Sequence, residues 1–217
     1  MDCKILVDNV SLTIKKTEIL KSVSAEFEQG KIHGLVGRNG SGKTMLMKCI
    51  CGFIKPTSGT IIIDGETIGK DCDFPKNVGI IIETPGFIPY YSGYKNLKLL
   101  ADLNKKIDAA QIRKTMENVG LNPASRLHVS KYSLGMRQRL GLAQAIMEEP
   151  DILILDEPMN GLDKEGVLEM RKYLLDLKER GKTIVIASHS TEDIEVLCDT
   201  VYEMDKGILT LLIPKKS

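Results

Sequence analysis

The chain has 217 residues, 42% of them hydrophobic and 27% charged, and a formal net charge of +1. This composition is typical of a water-soluble enzyme of one globular domain, which we expect to span residues 1–217. The near-neutral charge excludes a strongly basic protein drawn to nucleic acid or anionic lipid by its overall field. The apolar runs are too short for a membrane span, and the charged N-terminus lacks the apolar core of a signal peptide. We therefore expect a cytoplasmic protein.

Short apolar or alternating runs dominate residues 4–36 and predict β-strands. A glycine-rich loop follows, and then a helix predicted from Lys43 to Gly52. The segments GTIIIDG and VGIIIE predict two further strands. From about residue 89 to 150 the pattern becomes helical, with three predicted helices. The last of these follows a serine and places Leu140, Ala143 and Met147 on one face.

Strands and helices alternate again in the last part of the chain. DILILD predicts a strand, a helix follows over residues 164–180, and TIVIAS predicts another strand. A short helix and a hairpin in TVYEMDKGILTLLI complete the chain. The sequence thus predicts an α/β core, residues 1–88 and 151–217, interrupted by a helical subdomain at about 89–150.

One glycine-rich loop carries a phosphate-binding pattern. GRNGSGKT fits G-x-x-x-x-G-K-[ST], and it lies between a predicted strand and a predicted helix, as that pattern requires. Its glycines let the backbone wrap a phosphate, and its amides donate to the phosphate oxygens. We expect Lys43 to reach the β- and γ-phosphates and Thr44 to offer its hydroxyl to Mg²⁺. The predicted nucleotide-binding residues of this loop are Gly37, Arg38, Asn39, Gly40, Ser41, Gly42, Lys43 and Thr44.

Three further polar residues follow predicted strands. Asp156 ends the apolar run ILIL, where a carboxylate that holds Mg²⁺ directly or through water is expected. Glu157 comes next and is predicted to face the γ-phosphate and polarise the attacking water. His189 follows TIVIAS and is predicted to contact the γ-phosphate or that water. Without the other motifs, His189 would be interpreted as an ordinary polar loop residue.

The stretch YSLGMRQRL, residues 132–140, predicts a second anion-binding helix start. A serine before a basic, helix-forming run is a good N-cap, and the free amides of a helix start attract anions. The glycine-rich loop already provides a stronger phosphate site in the same chain. The second helix start therefore raises the question of whose phosphate it binds.

Together these stretches resemble one family over nearly the whole chain: the nucleotide-binding subunits of ATP-binding-cassette (ABC) transporters. GRNGSGKT is similar to the Walker A motif, ILILDE to Walker B, MNGLD to the D-loop and the SH at 188–189 to the switch histidine. YSLGMRQRL is similar to the signature motif, usually L-S-G-G-Q, which is specific to this family among P-loop proteins. The resemblance implies a P-loop NTPase core of the ABC-ATPase type, with an antiparallel β-subdomain and an inserted helical subdomain. It also implies ATP hydrolysis, with ATP and Mg²⁺ as cofactors.

The resemblance gives the second helix start a role. In the family two subunits pack head to tail, and the signature helix of one covers the γ-phosphate held by the P-loop of the other. Ser133 and Gly135 keep the family's contact positions, whereas Leu134 and Met136 replace its usual glycine and glutamine. These replacements change side chains and leave the backbone amides in place, so we expect the contact with the γ-phosphate to persist. The alternative is an ordinary N-capped helix without a nucleotide contact. Asp163 of the D-loop is also expected at the nucleotide site.

Two positions depart from the family pattern. Ile14 falls where an aromatic residue usually stacks on adenine, so we expect a looser grip on the base. Glu83 falls on the family's glutamine, and its carboxylate is a stronger ligand for a hard metal ion, so we assign it to metal binding and catalysis. Glutamate here is similar to a subgroup whose relatives export, or confer immunity to, peptide antibiotics such as bacitracin and lantibiotics. A tolerated variant without bearing on substrate is the alternative.

The resemblance implies the motor subunit of a transporter, and we expect an exporter. It would pair with a second ATP-binding subunit, as a homodimer, and drive a separate integral membrane permease that holds it at the inner face of the membrane. Phe87, Tyr90 and Tyr91 follow Glu83, and we hypothesise that at least one lines the permease docking cleft, the alternative being packing inside the helical segment. The competing functions are a soluble ABC ATPase acting on ribosomes or DNA, disfavoured by the single Walker A motif, and a regulator without hydrolysis, disfavoured by Glu157 and His189.

Overall fold

The computed structural model describes residues 3–83 and 86–212. The strands within these ranges are β1 (Cys3–Ile14), β2 (Thr17–Glu28), β3 (Ile32–Val36), β4 (Ser58–Ile63), β5 (Glu66–Thr67), β6 (Val78–Ile81), β7 (Ile152–Asp156), β8 (Thr183–Ala187), β9 (Thr200–Asp205) and β10 (Ile208–Leu212). The α-helices are α1 (Lys43–Ile50), α2 (Gly93–Asn104), α3 (Ala109–Asn118), α4 (Leu134–Ile146), α5 (Lys164–Glu179) and α6 (Thr191–Leu197).

The strands form two sheets of different kinds. Strands β2, β1, β4 and β5 form an antiparallel sheet in that order. The second sheet has the order β10-β9-β3-β8-β7-β6 and is parallel except for the edge strand β10. Since the carboxyl ends of parallel strands lie at one edge of a sheet, the loops after β3, β7 and β8 meet there. These loops carry the phosphate-binding pattern, the acidic pair and the switch histidine.

The parallel sheet is buried on both faces, as β7 shows. Ile152 and Ile154 face a core that they share with α1 and the antiparallel sheet. Leu153 and Leu155 face the opposite core, formed with the helical segment and α5. A strand covered on both faces has no position for a polar residue, which explains the unbroken apolar run ILIL.

The segment predicted to be helical contains α2, α3 and α4. Each of these helices begins with a side-chain cap, from Ser92, Asp108 and Ser133 respectively. The predicted apolar face of α4 is confirmed, since Leu140, Ala143 and Met147 are all buried. The limits of this subdomain stay a prediction, and Thr84 and Pro85 beside its first limit lie outside the described residues.

Sequence reasoning found the larger elements and missed the smallest ones. The two-residue strand β5 and a 3₁₀ turn, Val129–Lys131, are too short to show a periodic pattern. Helix α1 ends at Ile50, before the predicted limit, and Gly52 takes a left-handed φ of 75°. A Cβ atom on Gly52 would lie 2.2 Å from the carbonyl oxygen of Asp73, so this turn requires glycine. No helix of the described residues is long and apolar enough to cross a membrane.

Candidate nucleotide-binding site

A cavity of about 640 Å³ lies at the carboxyl ends of β3 and β7, beside the start of α1. It is lined by Ile19, Asn39, Gly40, Gly42, Lys43, Thr44, Met45, Glu83, Leu134, Gln138, Asp156, Glu157 and Asn160. A larger cavity, of about 870 Å³, lies between α6 and β9 and contains Gly37, Arg38 and His189 in its lining. The smaller cavity is the candidate phosphate site because it contains the lysine, hydroxyl and carboxylates that phosphate chemistry needs.

The phosphate-binding loop has a backbone that requires its glycines. Gly37, Gly40 and Gly42 have φ angles of 142°, 78° and 121°. A Cβ atom on Gly37 would lie 2.2 Å from the carbonyl oxygen of Met204. The ammonium group of Lys43 is buried and donates to the carbonyl oxygens of Gly37 at 2.6 Å and Arg38 at 3.2 Å. The loop is therefore folded around this lysine, with its positive charge held next to the cavity.

The start of α1 has donors suited to an anion. Its N-cap is Gly42, no side chain caps its first turn, and that turn contains no acidic residue. The hydroxyl oxygen of Ser41 is buried and has no hydrogen-bond partner among the described residues. Uncapped amides and a positive helix end attract phosphate, and a phosphate oxygen would satisfy the Ser41 hydroxyl. The residues present therefore fit a nucleotide phosphate.

A hydroxyl and a carboxylate meet beside this loop. The Thr44 hydroxyl donates to Asp156 Oδ2 at 2.7 Å, and both side chains belong to the cavity. Hydroxyl, carboxylate and phosphate oxygens are the ligands that Mg²⁺ prefers in nucleotide sites. Two of the three predicted metal ligands are thus next to each other, which fits a magnesium ion bound together with a nucleotide.

Glu157 is held in a fixed position. Its φ of 51° is left-handed, an arrangement that in a non-glycine residue concentrates at functional sites. Its amide donates to the carbonyl of Ala187 at 3.0 Å, and its own carbonyl accepts from Gln138 Nε2 at 3.1 Å. Its Oε2 lies 2.8 Å from His189 Nδ1. The structure thus brings the predicted catalytic carboxylate and the switch histidine into contact.

Glu83 lies at the rim of the same cavity. Its carboxylate pairs with the ammonium of Lys48 at 2.6 Å, and its side chain is 65% exposed. Its φ of 58° is again left-handed. Lys48 belongs to α1, so this ion pair connects the loop after β6 to the helix that follows the phosphate-binding loop. Metal binding by Glu83 stays a prediction.

The second helix start lies close to the D-loop of the same chain. The Ser133 hydroxyl accepts from the amide of Met136 at 3.1 Å, which confirms the predicted N-cap. A Cβ atom on Gly135 would lie 2.8 Å from the carbonyl oxygen of Gly161. Packing against the D-loop is therefore sufficient to explain glycine at this position. Leu134 is 61% exposed and lies against Gly161, whose own φ is 77°. The apolar residue in place of the usual glycine therefore covers the D-loop.

The lining of the cavity does not include seven of the predicted nucleotide contacts: Gly37, Arg38, Ser41, Ser133, Gly135, Ile14 and Asp163. Ile14 ends β1 and is 38% exposed. Asp163 is exposed and caps α5, accepting from the amide of Gly166 at 2.9 Å. Nucleotide contacts by either residue stay predictions. Sequence reasoning did not assign Ile19, Gln138 and Asn160 to the site, although they line the cavity. Gln138 lies in the stretch similar to the signature motif and Asn160 in the stretch similar to the D-loop.

Comparison with known proteins identifies the family. The family model for ABC transporters matches residues 20–160. An uncharacterized ABC transporter ATP-binding protein of Bacillus subtilis, YybJ, is 49% identical, with 93% of this chain and 92% of that protein covered. The bacitracin transport ATP-binding protein BcrA of Enterococcus faecalis is 42% identical over 96% of this chain and 68% of its own length. The lantibiotic transport ATP-binding protein SrtF of Streptococcus pyogenes is 35% identical over 94% of this chain and 88% of its own length.

Solved structures show the same fold. A dimeric ATP-binding cassette in a post-hydrolysis state, bound to ADP and Pi, superposes with a TM-score of 0.88 at 20% identity, covering 98% of this chain and 99% of that one. A dimeric bacterial ABC transporter cassette gives a TM-score of 0.85 at 22% identity, with 94% and 96% covered. The predicted fold class, family and ATPase activity are confirmed. The chain belongs to the ABC transporter family, in which it is an ATP-binding subunit.

Proposed function

We propose that this subunit hydrolyses Mg-ATP to drive an exporter of peptide antibiotics, through a separate membrane permease on whose cytoplasmic side it docks. The observation that carries the catalytic part is two side-chain pairs at the carboxyl ends of the parallel strands. These pairs are Thr44 with Asp156 at 2.7 Å and Glu157 with His189 at 2.8 Å. Thr44, Asp156 and Glu157 line the candidate phosphate cavity, and His189 lies next to it through its contact with Glu157. The names of the bacitracin and lantibiotic relatives support the class of cargo.

The residues of the cavity divide into binding and chemistry. Lys43, the loop amides and the Ser41 hydroxyl bind the nucleotide phosphates, and Thr44 and Asp156 hold Mg²⁺. The metal ion, when bound, neutralises charge on the phosphates. Glu157 polarises a water whose oxygen attacks the γ-phosphorus; the bond to the bridging oxygen breaks and a proton passes to the carboxylate. ADP and phosphate are the products. His189 orients the Glu157 carboxylate through its ring nitrogen.

The replacement Glu157→Gln tests this assignment. The amide keeps the shape of the side chain but is a far weaker base, so we expect kcat to fall by about 10²–10⁴-fold, the range for general-base groups. ATP affinity should change little, because the phosphate-binding loop is intact. Light scattering should then show an ATP-dependent dimer that does not dissociate. Turnover at the wild-type rate would remove Glu157 from this role.

ABC ATP-binding subunits dimerise and act with membrane permeases. For this chain we propose a homodimer in which Ser133 and the amides after it cover the γ-phosphate held by the partner's phosphate-binding loop. The exposed start of α4 supports this, because a capped helix end in open solvent is available to a second molecule. A soluble ATPase acting on ribosomes is not favoured by relatives that are named for transport.

We further propose that the permease docks beside β6, the edge strand of the parallel sheet in the described residues. A cleft of about 640 Å³ runs there between β6, α2 and α4, and Phe53, Leu100 and Gln144 are part of its lining. Of the three aromatic residues after Glu83, Phe87 packs against the core of the helical segment, whereas Tyr90 is 66% exposed. Tyr91 stacks edge-on against Tyr90 with ring centroids 5.4 Å apart.

The reconstituted complex distinguishes these roles. Tyr90→Ala should weaken permease binding while leaving the melting temperature of the isolated subunit unchanged, because the ring is exposed. Phe87→Ala should lower the melting temperature instead, because it removes a packed side chain.

Glu83→Ala should reduce stimulation of the ATPase by the permease more than it reduces basal ATPase activity, since Glu83 lies between the docking loop and the metal ligands. Equal losses in both activities would confine Glu83 to catalysis.

A further inference from the structure

A buried ion pair connects α5 to α6, directly behind the switch histidine. Arg171 of α5 is 7% exposed and Asp193 of α6 is 3% exposed. The guanidinium donates twice to Asp193 Oδ1, from Nε at 2.8 Å and from Nη2 at 2.5 Å. Its third nitrogen, Nη1, donates to Glu192 Oε1 at 2.8 Å, at the solvent end of the contact. A planar guanidinium fixes a carboxylate in orientation as well as position.

The second oxygen of this carboxylate holds the loop that carries His189. Asp193 Oδ2 accepts from the Ser188 hydroxyl at 3.2 Å. The Ser188 oxygen in turn accepts from the amide of Ser190 at 3.1 Å, and the Ser190 hydroxyl accepts from the amide of Asp193 at 3.3 Å. The residues on both sides of His189 are therefore bonded to one buried carboxylate, either directly or through one hydroxyl.

The loop is also connected to β3, because the amide of Ser188 donates to the carbonyl of Leu35 at 3.4 Å. A cavity of about 560 Å³ separates α5 from the switch loop, and Arg171, Ser188, His189 and Asp193 line it together with Glu157. The His189 side chain is 66% exposed, and its Nδ1 contacts Glu157 Oε2. A ring exposed to this degree is held by the backbone that carries it, and the hydrogen bonds to Asp193 contribute to fixing that backbone.

We propose that Arg171 is a positioning residue for ATP hydrolysis: acting through Asp193 and the Ser188 hydroxyl, it holds His189 in contact with Glu157. The inference rests on the proposed roles of His189 and Glu157. Because α5 starts directly after the D-loop, the same arginine also connects that loop to the switch histidine. A displacement of α5 when a second subunit contacts the D-loop would thus change the distance between the two catalytic side chains.

The experiment compares four variants of the full chain with His189→Ala as the reference. Ser188→Ala removes the hydroxyl but keeps the buried ion pair. Arg171→Met removes the cation, and Arg171→Met with Asp193→Asn replaces the ion pair by neutral groups of similar size. Lys172→Met is the matched control, an exposed neighbour on the same helix. Each is measured for kcat, KM for Mg-ATP, melting temperature and the nuclear magnetic resonance signals of the three histidine rings.

Ser188→Ala and Arg171→Met should lower kcat by about tenfold, a loss typical of a small displacement of a catalytic group. KM should stay within about twofold, because the phosphate-binding loop is untouched. The ring signal of His189 should shift while those of His33 and His128 stay in place. The double variant should recover the melting temperature lost in Arg171→Met but not kcat, and Lys172→Met should match the wild type.

Two results would separate the possible failures. If His189→Ala has wild-type kcat, the proposed role of the histidine is wrong, whatever Arg171 does. If His189→Ala is slow but Ser188→Ala and Arg171→Met are not, the histidine acts without this support and the inference is overturned. Recovery of kcat together with melting temperature in the double variant would likewise overturn it, since Arg171 would then serve stability alone.

Discussion

The starts of α1 and α4 are both suited to bind an anion, yet they differ in what the chain itself provides. Helix α1 has no side-chain cap and lies beside a buried lysine and the Ser41 hydroxyl, which has no partner within residues 3–83 and 86–212. Helix α4 is capped by Ser133, which is exposed to solvent. The first is a candidate phosphate site with a buried cation, a hydroxyl and helix amides from one chain. The second offers a few amides at the surface and needs another molecule to supply the rest of a site.

This difference predicts unequal effects on nucleotide binding. Lys43→Ala removes the buried cation of the first site, and we expect ATP affinity to fall by about a hundredfold, or ~2.7 kcal/mol. Lys48→Ala is a control on the same helix, because its ammonium pairs with Glu83 at the cavity rim rather than with the phosphate-binding loop. Titration with a fluorescent ATP analogue measures both. Unchanged affinity in Lys43→Ala would place the phosphates elsewhere.

Ser133→Ala should act on turnover and not on binding by the isolated chain. The hydroxyl contacts the partner's phosphate in the proposed dimer, so we expect kcat to fall by about tenfold, the value of one charge-assisted hydrogen bond. The loss of the N-cap also costs about 1 kcal/mol of stability. Ser92→Ala is the matched control because it removes the cap of α2, where the Ser92 hydroxyl accepts from the amide of Lys95. Equal kcat in the two variants would leave Ser133 with capping alone.

Base recognition should be weak, since the phosphate-binding loop contacts what all nucleoside triphosphates share. Ile14 cannot stack on a base as an aromatic ring does, so GTP should compete with ATP within about an order of magnitude, or ~1.4 kcal/mol. Ile14→Tyr should improve the preference for ATP by roughly one stacking interaction, about 0.5–1.5 kcal/mol. Competition binding measures both. A wild-type chain that rejects GTP a thousandfold would show that another residue reads the base.

Acid should lower the stability of the fold through a buried histidine on β3, the strand that precedes the phosphate-binding loop. His33 lies on β3, is fully buried, and its Nε2 lies 2.9 Å from the carbonyl oxygen of Glu28. A carbonyl only accepts, so Nε2 carries the proton, and Nδ1 accepts from the Thr200 hydroxyl. Burial lowers the pKa of His33 below its ordinary value of 6.5.

The unfolded chain therefore binds a proton before the folded chain does as the pH falls. The stability that neutral His33 contributes is complete above about pH 6.5 and is lost as the pH falls toward the folded pKa. The melting temperature should drop between pH 7.5 and 5.5, and it should drop less in His33→Gln. Parallel pH profiles for the two proteins would show that another group is responsible.

Local patterns predicted most of the fold and part of the site. The apolar runs of β3, β7 and β8 and the glycines of residues 37–42 have local causes, so the sequence displays them. The contacts of Gln138 with Glu157 and of Leu134 with Gly161 join residues far apart in the chain. Such contacts depend on how the helical segment packs against the core, which no periodicity records. The hydrogen bonds of Arg171 with Asp193 also join two different helices, so the sequence did not predict them.

The start of α4 could contact the nucleotide of its own chain or that of a partner. Leu134 and Gln138 of α4 line the phosphate cavity of their own chain, so a contact of the signature helix within one chain is a real alternative to a contact across a dimer. A matched pair of defective chains decides between them. Lys43→Ala lacks the first site but keeps Ser133, and Ser133→Ala lacks the second but keeps Lys43.

The most direct test is the ATPase rate of a 1:1 mixture of these two variants, compared with each variant alone at the same total concentration. In a mixed dimer the phosphate-binding loop of the Ser133→Ala chain faces the intact signature helix of the Lys43→Ala chain. The account predicts that one working site re-forms and that the mixture hydrolyses ATP faster than the sum of its parts. A mixture no faster than that sum would show that α4 serves the nucleotide of its own chain, which would contradict the account.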